Sequence, residues 1–183
     1  MKKLVKWGIA GLLVAAAVLT VVYRAVNRVP SADLPLNEQV YAIFEDGGCL
    51  SCHSAEPQLP FYASFPVMGD IVVADSKSGY QMFDIEPLVK ALESGETLSA
   101  VDVAKVEKAA LDGDMPMAKY YLVHWGSQMT KEKASIIADW AAAWRTEYYN
   151  DGLAGEVIRP IAQSLEVDAA KVELGRLLYH DTR

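Results

Sequence analysis

The pentapeptide Cys49-Leu50-Ser51-Cys52-His53 contains both cysteines of this 183-residue chain. Two thiols three positions apart lie on one side of a helical turn, where they can reach the two vinyl groups of one porphyrin. The histidine that follows can then bind the iron through its imidazole. Cys-x-x-Cys-His is the attachment motif of c-type haem. We therefore predict one covalently bound haem c, anchored by Cys49 and Cys52, with His53 as an iron ligand.

Two other kinds of site also use closely spaced cysteines. A thioredoxin-like redox pair requires a strand before the motif and a helix after it, whereas here a helical pattern precedes the motif and a proline-rich segment follows it. A structural zinc site needs four ligands, and the remaining histidines, His124 and His180, lie far from the motif in sequence. The pattern therefore favours haem attachment over both alternatives.

A haem iron that only transfers electrons needs a second axial ligand. Methionine in that position raises the reduction potential, and an open position permits ligand chemistry instead. We predict Met115, because it lies just past a predicted helix end in Gly113-Asp114-Met115-Pro116, where the proline restricts its backbone. Met117 and His124 are the alternative ligands, and a hydrogen bond near the haem edge or a propionate is the other role open to His124. Most methionines of the chain are expected to fill the core; the further candidates are Met68, Met82 and Met129.

The N-terminus has the pattern of a membrane anchor. Three lysines precede an apolar run from Trp7 to Val22, and arginines follow it. With the flanking apolar residues the run approaches the roughly 30 Å that a helix needs to cross a bilayer. A cleaved signal peptide is the alternative, but the Ala-x-Ala at Ala15 to Ala17 lies inside the apolar run. We predict an uncleaved single-pass anchor over 1–28 in the inner membrane. Its N-terminus is cytoplasmic, because the basic residues are denser there, and the rest of the chain is periplasmic, where c-type haem is attached.

Composition bounds the remaining possibilities. The formal net charge is −7 and the isoelectric point about 4.9, which argues against a nucleic-acid partner. The acidic residues are scattered, as on a solvated surface. Without the anchor, about 155 residues remain, enough for one domain with a hydrophobic core.

Periodicity and capping residues predict helices and no strands. A linker over 29–36 is followed by a helix over Asn37–Asp46, whose Val40, Ile43 and Phe44 share one face and which ends at Gly47 and Gly48. The segment Pro57–Gly79 carries three prolines and reads as an irregular loop. The further predicted helices are Glu86–Glu93, one capped by Ser99 that runs to Leu111, and one capped by Thr130 that runs through Tyr149. We therefore predict an all-α, cytochrome c-like domain over 37–149.

An ordered set of motifs also resembles a known family. The set is Cys49-Leu50-Ser51-Cys52-His53-Ser54, Leu59-Pro60-Phe61-Tyr62, Met115-Pro116, Tyr120 and His124-Trp125. It resembles the haem-binding domain at the N-terminus of membrane-anchored, three-haem bacterial cytochrome c peroxidases. The tail from Lys171 to Arg183 resembles the opening helix of the di-haem peroxidase domain of that family, although Thr182 stands where that helix usually has proline. The resemblance implies that 150–170 is a linker and that the chain is truncated at the start of the peroxidase domain.

The resemblance implies an electron-entry domain. It would accept electrons from quinol or a small c-type cytochrome and pass them to a di-haem module that reduces hydrogen peroxide and is absent from this chain. Cys49 and Cys52 would hold the porphyrin, and His53 and Met115 would bind the iron. Two alternatives are a stand-alone haem sensor or small peroxidase with an open iron position, and a structural haem protein tethered in a larger respiratory assembly.

Overall fold

Helices make up all the regular structure in the described part of this computed structural model, as predicted. The structure describes residues 2–121, 124–149, 155–156 and 167–181. The α-helices are α1 (Lys2–Val26), α2 (Leu36–Gly47), α3 (Met68–Met82), α4 (Glu86–Ser94), α5 (Ala100–Asp112), α6 (Ala118–Tyr121), α7 (Lys131–Tyr149) and α8 (Ala169–Tyr179). Short 3₁₀ helices cover Cys49–Ser51, Phe61–Ser64 and Trp125–Ser127.

Most helix boundaries agree with the predictions. Helix α2 ends at Gly47, and Gly48 caps it with a left-handed backbone (φ 64°) that glycine adopts without steric cost. Ser99 occupies the N-cap position of α5, although its side chain makes no capping hydrogen bond. Thr130 does cap α7, because its Oγ1 accepts a hydrogen bond of 3.2 Å from the backbone N–H of Lys133.

The prediction of an irregular loop over Pro57–Gly79 is wrong in its second half, which forms α3. The buried residues of α3 are Gly69, Ser76 and Gly79. These small side chains allow the helix to approach its neighbours closely. They are not large apolar residues, so they leave no helical pattern of hydrophobic residues in the sequence. Several large apolar side chains of α3 are instead exposed, so the pattern that normally identifies a helix is missing here.

The core lies where α7 packs against both α2 and α5, and where α2 packs against α4. The predicted apolar face of α2 is buried, with Val40 fully covered and Phe44 5% exposed. Trp140 of α7 is 1% exposed, and its indole N–H donates to Asn37 Oδ1 at 2.8 Å, which joins α7 to the start of α2. This packing fixes the C-terminal end of α2, where the cysteine motif begins.

A buried ion pair sets the position of α5 against α7. Arg145 Nη1 lies 2.5 Å from Glu107 Oε2, and Nη2 lies 3.0 Å from Oε1. The two side chains are 7% and 8% exposed. Such a two-point contact restrains both distance and orientation. It therefore restrains the second half of α5, after which the Met115 segment continues.

Among the described residues, helix α1 contacts the 125–127 turn. A Cβ on Gly126 would lie 2.8 Å from the carbonyl oxygen of Val26, so glycine permits this close approach. Tyr23 also donates a hydrogen bond to Gln128. The stretch Val5–Val26 has a mean hydropathy of 2.2, none of it is buried, and it is long enough to cross a membrane.

The C-terminal predictions are covered only in part. Most of the predicted linker 150–170 and the departure at Thr182 lie outside the described residues. The C-terminal segment forms helix α8, where the Asp168 carboxylate accepts hydrogen bonds from the N–H groups of Ala170 and Lys171; its assignment to a peroxidase domain stays a prediction. None of the residues of α8 is buried against the rest of the chain.

Candidate functional site

The cysteine motif forms the helical turn that its spacing predicts. The N–H groups of Cys52 and His53 donate to the Cys49 carbonyl oxygen at 3.2 and 3.0 Å. Ser54 Oγ donates to Leu50 O at 2.7 Å and closes the next turn. The two cysteines are free thiols, and both line the same cavity.

His53 is oriented by a backbone hydrogen bond. Its Nδ1 donates to the carbonyl oxygen of Phe83 at 2.8 Å, and its own carbonyl accepts from the N–H of Ile85 at 2.9 Å. Because a carbonyl oxygen can only accept, Nδ1 carries a proton, which leaves Nε2 as the nitrogen that can bind a metal. Metal-bound histidines are commonly held in this way, with the second nitrogen on a backbone carbonyl. His53 therefore has the tautomer that an iron ligand needs.

Partial burial raises the pKa of both thiols. It raises the pKa of Cys49 to about 12. The pKa of Cys52 is also raised, first by burial and then by the negative charge of Asp75. A thioredoxin-like pair needs the opposite, an attacking cysteine with a lowered pKa. The environment of these thiols therefore disagrees with a disulfide exchange site.

A zinc site gains no support either. Among residues 2–121, 124–149, 155–156 and 167–181, no cluster of three or more His, Cys, Asp and Glu side chains could hold a metal ion. A structural zinc ion would need four such ligands. The histidines His124 and His180 do not join the two cysteines in any such cluster.

The cavity beside the motif is mostly apolar. Its volume is about 190 Å³. One wall is the motif, a second is the α3 segment that includes Gly79, and a third is formed by the end of α5 and the residues after it. An apolar cleft with a few convergent polar or ligating groups is the usual form of a cofactor site. The donors present, two thiols, an imidazole and thioether sulfurs, suit a haem iron and its porphyrin edge.

The predicted second iron ligand, Met115, also lines this cavity. Met115 and Met117 both line it and are half-buried. Met115 follows Gly113, the left-handed C-cap of α5 (φ 72°), so the end of the helix delivers the methionine to the cavity. Met82 and Met129 also line the cavity, and Met129 packs against the core as a filling residue. Met68 begins α3 and does not line the cavity.

His124 is placed outside the cavity lining. Its Nε2 lies 2.8 Å from the Tyr62 hydroxyl, and its Nδ1 lies 3.2 Å from the Tyr120 carbonyl oxygen. Its ring stacks on that of Tyr120 with centroids 3.8 Å apart. Tyr120 itself lines the cavity, and burial raises its pKa to about 12. His124 therefore supports the cavity wall through Tyr120, and both of its nitrogens are already engaged.

Sequence reasoning missed several residues that build this site. Phe83 supplies the carbonyl that orients His53, Tyr120 forms part of the wall, and Lys133 of α7 also lines the cavity. A backbone carbonyl gives no side-chain signal in sequence. The resemblance names Tyr120, but neither spacing nor periodicity assigns a position to it or to a buried lysine.

Gly79→Ala is expected to destabilise the site. A Cβ at Gly79 would lie 2.5 Å from the Cys52 carbonyl oxygen and 3.1 Å from its carbon, and backbone atoms cannot move aside cheaply. Overpacking of this kind costs about 1–3 kcal/mol. The measurement is the unfolding midpoint of the full chain in urea, with haem content recorded alongside. Lys77→Ala on the exposed side of α3 is the control and should change stability by less than about 0.5 kcal/mol. Equal stability of the two variants would contradict the close packing of α3 on the motif.

Comparison with known proteins agrees with this chemistry. A family model described as a haem-binding domain matches residues 13–143, which is more than half of the chain. Cytochrome c peroxidase Ccp of Escherichia coli (strain K12) is 35% identical over 152 residues, covering 80% of this chain. The matched region of this chain covers 33% of the length of that relative. No solved structure matches significantly. The family match over residues 13–143 shows that this chain belongs to the haem-binding domain family.

Proposed function

We propose that the cavity holds one haem c, attached through thioether bonds to Cys49 and Cys52. His53 would bind the iron through Nε2 and Met115 through its sulfur, with Met117 and His124 as weaker candidates. The observation that supports this best is that both thiols, the oriented imidazole and Met115 all line one apolar cavity. The haem would supply one-electron chemistry, and the chain would hold both axial positions of the iron.

We further propose that the domain transfers electrons. An iron with a histidine and a methionine ligand has no open position for a substrate, and this ligand pair is typical of electron-carrying cytochromes. The apolar walls and the half-buried ligands would keep most of the iron's surroundings away from water. The related protein is named a cytochrome c peroxidase and is about three times as long as the match. The electron acceptor would therefore be a di-haem module that reduces hydrogen peroxide, and the donor would be quinol or a small c-type cytochrome.

The membrane arrangement completes the proposal. Residues 1–28 would form an uncleaved inner-membrane anchor, 29–36 a linker, 37–149 the haem domain in the periplasm, 150–170 a second linker, and 171–183 the first helix of the peroxidase domain. The length and hydropathy of Val5–Val26 support the anchor, and the lysines before it support a cytoplasmic N-terminus. A periplasm-dependent reporter fused after Arg183 should be active. A soluble product that starts near Val29 would instead show a cleaved signal.

Carbon monoxide binding tests the electron-transfer role. The full chain, produced with c-type maturation machinery and reduced with dithionite, is expected to bind carbon monoxide slowly or not at all, because both axial positions are filled. It should also cycle reversibly between ferric and ferrous forms in a one-electron titration and turn over hydrogen peroxide negligibly. Rapid carbon monoxide binding with rapid peroxide turnover would overturn the proposal and favour a small peroxidase or a sensor with an open iron position.

A further inference from the structure

A lysine is buried in the wall of the haem cavity. Lys133 lies in the first turn of α7, is 2% exposed and lines the cavity. Charged side chains are almost never buried to this extent unless they are paired. Neither the proposed attachment of the porphyrin nor the proposed binding of the iron uses this residue.

The partners of Lys133 are neutral. Its Nζ donates to Asn27 Oδ1 at 2.8 Å and to the Gly126 carbonyl oxygen at 3.1 Å. Within the described part of the chain, no carboxylate oxygen lies within 4 Å of this ammonium group. Asp46 acts on it only from a distance and is exposed to solvent, which screens its charge. The positive charge of Lys133 is therefore solvated by dipoles and left largely uncompensated.

Local structure does not favour a cation at this position. Burial lowers the pKa of Lys133, and a positive charge in the first turn of a helix opposes the helix dipole. An apolar side chain of similar length would avoid both costs. A charged group placed at this cost suggests a task for the charge itself, and the side chain that carries it lines the cavity.

The charge of Lys133 also acts on the motif. Its positive charge works to lower the pKa of the Cys49 thiol, against the larger effect of burial. Coulomb interactions in a poorly solvated interior are several times stronger than in water. A haem attached to Cys49 would lie within the same electrostatic reach.

We propose that Lys133 raises the reduction potential of the haem through its fixed positive charge in the cavity wall. The inference rests on the proposed haem site. Ferric haem carries one more positive charge than ferrous haem, so a nearby cation destabilises the ferric form and favours the ferrous form. Lys133 acts through space on the iron and is a positioning and electrostatic residue rather than an iron ligand.

The end of α1 holds this charge in place. Asn27 follows the last residue of α1 and is 7% exposed. Its Oδ1 accepts from Lys133, and its Nδ2 donates to the Tyr23 hydroxyl at 2.9 Å. The ammonium group therefore cannot swing out to solvent without breaking contacts to the anchor helix. A fixed charge acts on the haem more strongly than one on a mobile surface side chain.

The test is a spectroelectrochemical titration of the full haem-loaded chain. Lys133→Met keeps the length of the side chain and removes the charge, and Lys133→Gln removes the charge but keeps a hydrogen-bond donor. Both variants are expected to favour the ferric form at least tenfold more than the native chain, a fall of about 59 mV for one electron. Lys133→Arg keeps the charge and should change the ferrous-to-ferric ratio by less than about threefold.

The matched control is Lys131→Met, which removes an exposed charge from the same turn of α7. Water and salt screen this charge, so the ferrous-to-ferric ratio should change by less than about twofold and the change should vanish at high ionic strength. The shift at Lys133 should persist in high salt.

Potentials of Lys133→Met and Lys133→Gln that equal that of Lys131→Met would overturn the proposal. Should Lys133→Met fail to fold, the Lys133→Gln and Lys133→Arg pair decides the question alone. Haem content by mass separates this outcome from failure of the site, since a chain without covalent haem would contradict the proposed function instead.

Discussion

Cys52→Ala is expected to abolish most covalent haem attachment. One thioether bond is lost, whereas the backbone turn in which Cys49 O accepts from the N–H groups of residues 52 and 53 should remain, because alanine keeps its backbone N–H. The measurement is the mass of the chain produced with c-type maturation machinery, followed by acid-organic extraction. The native chain should carry one haem that resists extraction, whereas any haem left in the variant should mostly be extractable.

The control for this prediction lies inside the motif. Leu50→Ala changes an exposed side chain between the two cysteines and should retain covalent haem at close to the native level. Undiminished acid-stable haem in Cys52→Ala would show that the thiol pair does not anchor the porphyrin. Among the described residues, no group of three or more His, Cys, Asp and Glu side chains could hold a metal ion instead. The cavity would then have to bind a molecule other than a covalently attached haem.

The helices around the motif could be predicted because their core faces are apolar. Val40, Ile43 and Phe44 recur at helical spacing, and glycines end α2, α4 and α5 in the left-handed conformation. Both signals depend on short-range sequence only. The residues that could bind a haem were likewise named from spacing, and the structure brings Cys49, Cys52, His53 and Met115 to one cavity.

Helix α3 could not be predicted for a reason that also explains its role. A helix that approaches another backbone closely must bury glycine or serine rather than leucine. A Cβ added to Gly69 would lie 2.3 Å from the Ala63 carbonyl oxygen, and one added to Gly79 would lie 2.5 Å from the Cys52 carbonyl oxygen. Burying these small residues leaves no apolar stripe for a periodicity argument to detect. The contact that fixes the cavity wall is therefore the one least visible in sequence.

Long-range contacts account for the other omissions. Lys133 reads as a solvated surface charge in an amphipathic helix, and only its contact with Asn27, 106 positions earlier in the chain, shows that it is buried. His124 remained an alternative iron ligand on residue type alone. Its bonds to Tyr62 and Tyr120 are tertiary, and they place it beside the cavity rather than in it. Residue types indicate which side chains could bind a cofactor, but contacts between residues distant in sequence decide which of those side chains are free to do so.

Met115→Ala is expected to remove the second iron ligand and lower the reduction potential of the haem. The soft thioether favours ferrous iron. Axial ligands set haem potentials over a range of about 0.8 V, so the loss of one should lower the potential by on the order of 0.1 V. The variant should lose the weak ferric charge-transfer band that accompanies methionine ligation. Potentiometry and visible spectra of the full chain provide both readings.

The same change should open the iron to external ligands. Carbon monoxide should bind rapidly to the reduced variant, and slow reaction with peroxide should appear, because the sixth coordination position is vacant. Met117→Ala is the matched control: it removes a thioether two residues away that lines the same cavity, and it should keep the native spectrum and resist carbon monoxide. Covalent haem should remain in both variants, since the thiols are untouched.

The outcome in the two variants assigns the ligand. If Met117→Ala loses the band while Met115→Ala keeps it, the sulfur on the iron belongs to Met117, and the turn after α5 presents its second methionine to the cavity. If neither changes and His124→Ala does, the iron has two histidine ligands, and His124 would have to exchange its bonds to Tyr62 and Tyr120 for the metal. That exchange would require the Tyr120 wall to move, because the His124 ring stacks directly upon it at 3.8 Å. Met115 requires no such rearrangement of the tyrosine pair, since it already lines the cavity.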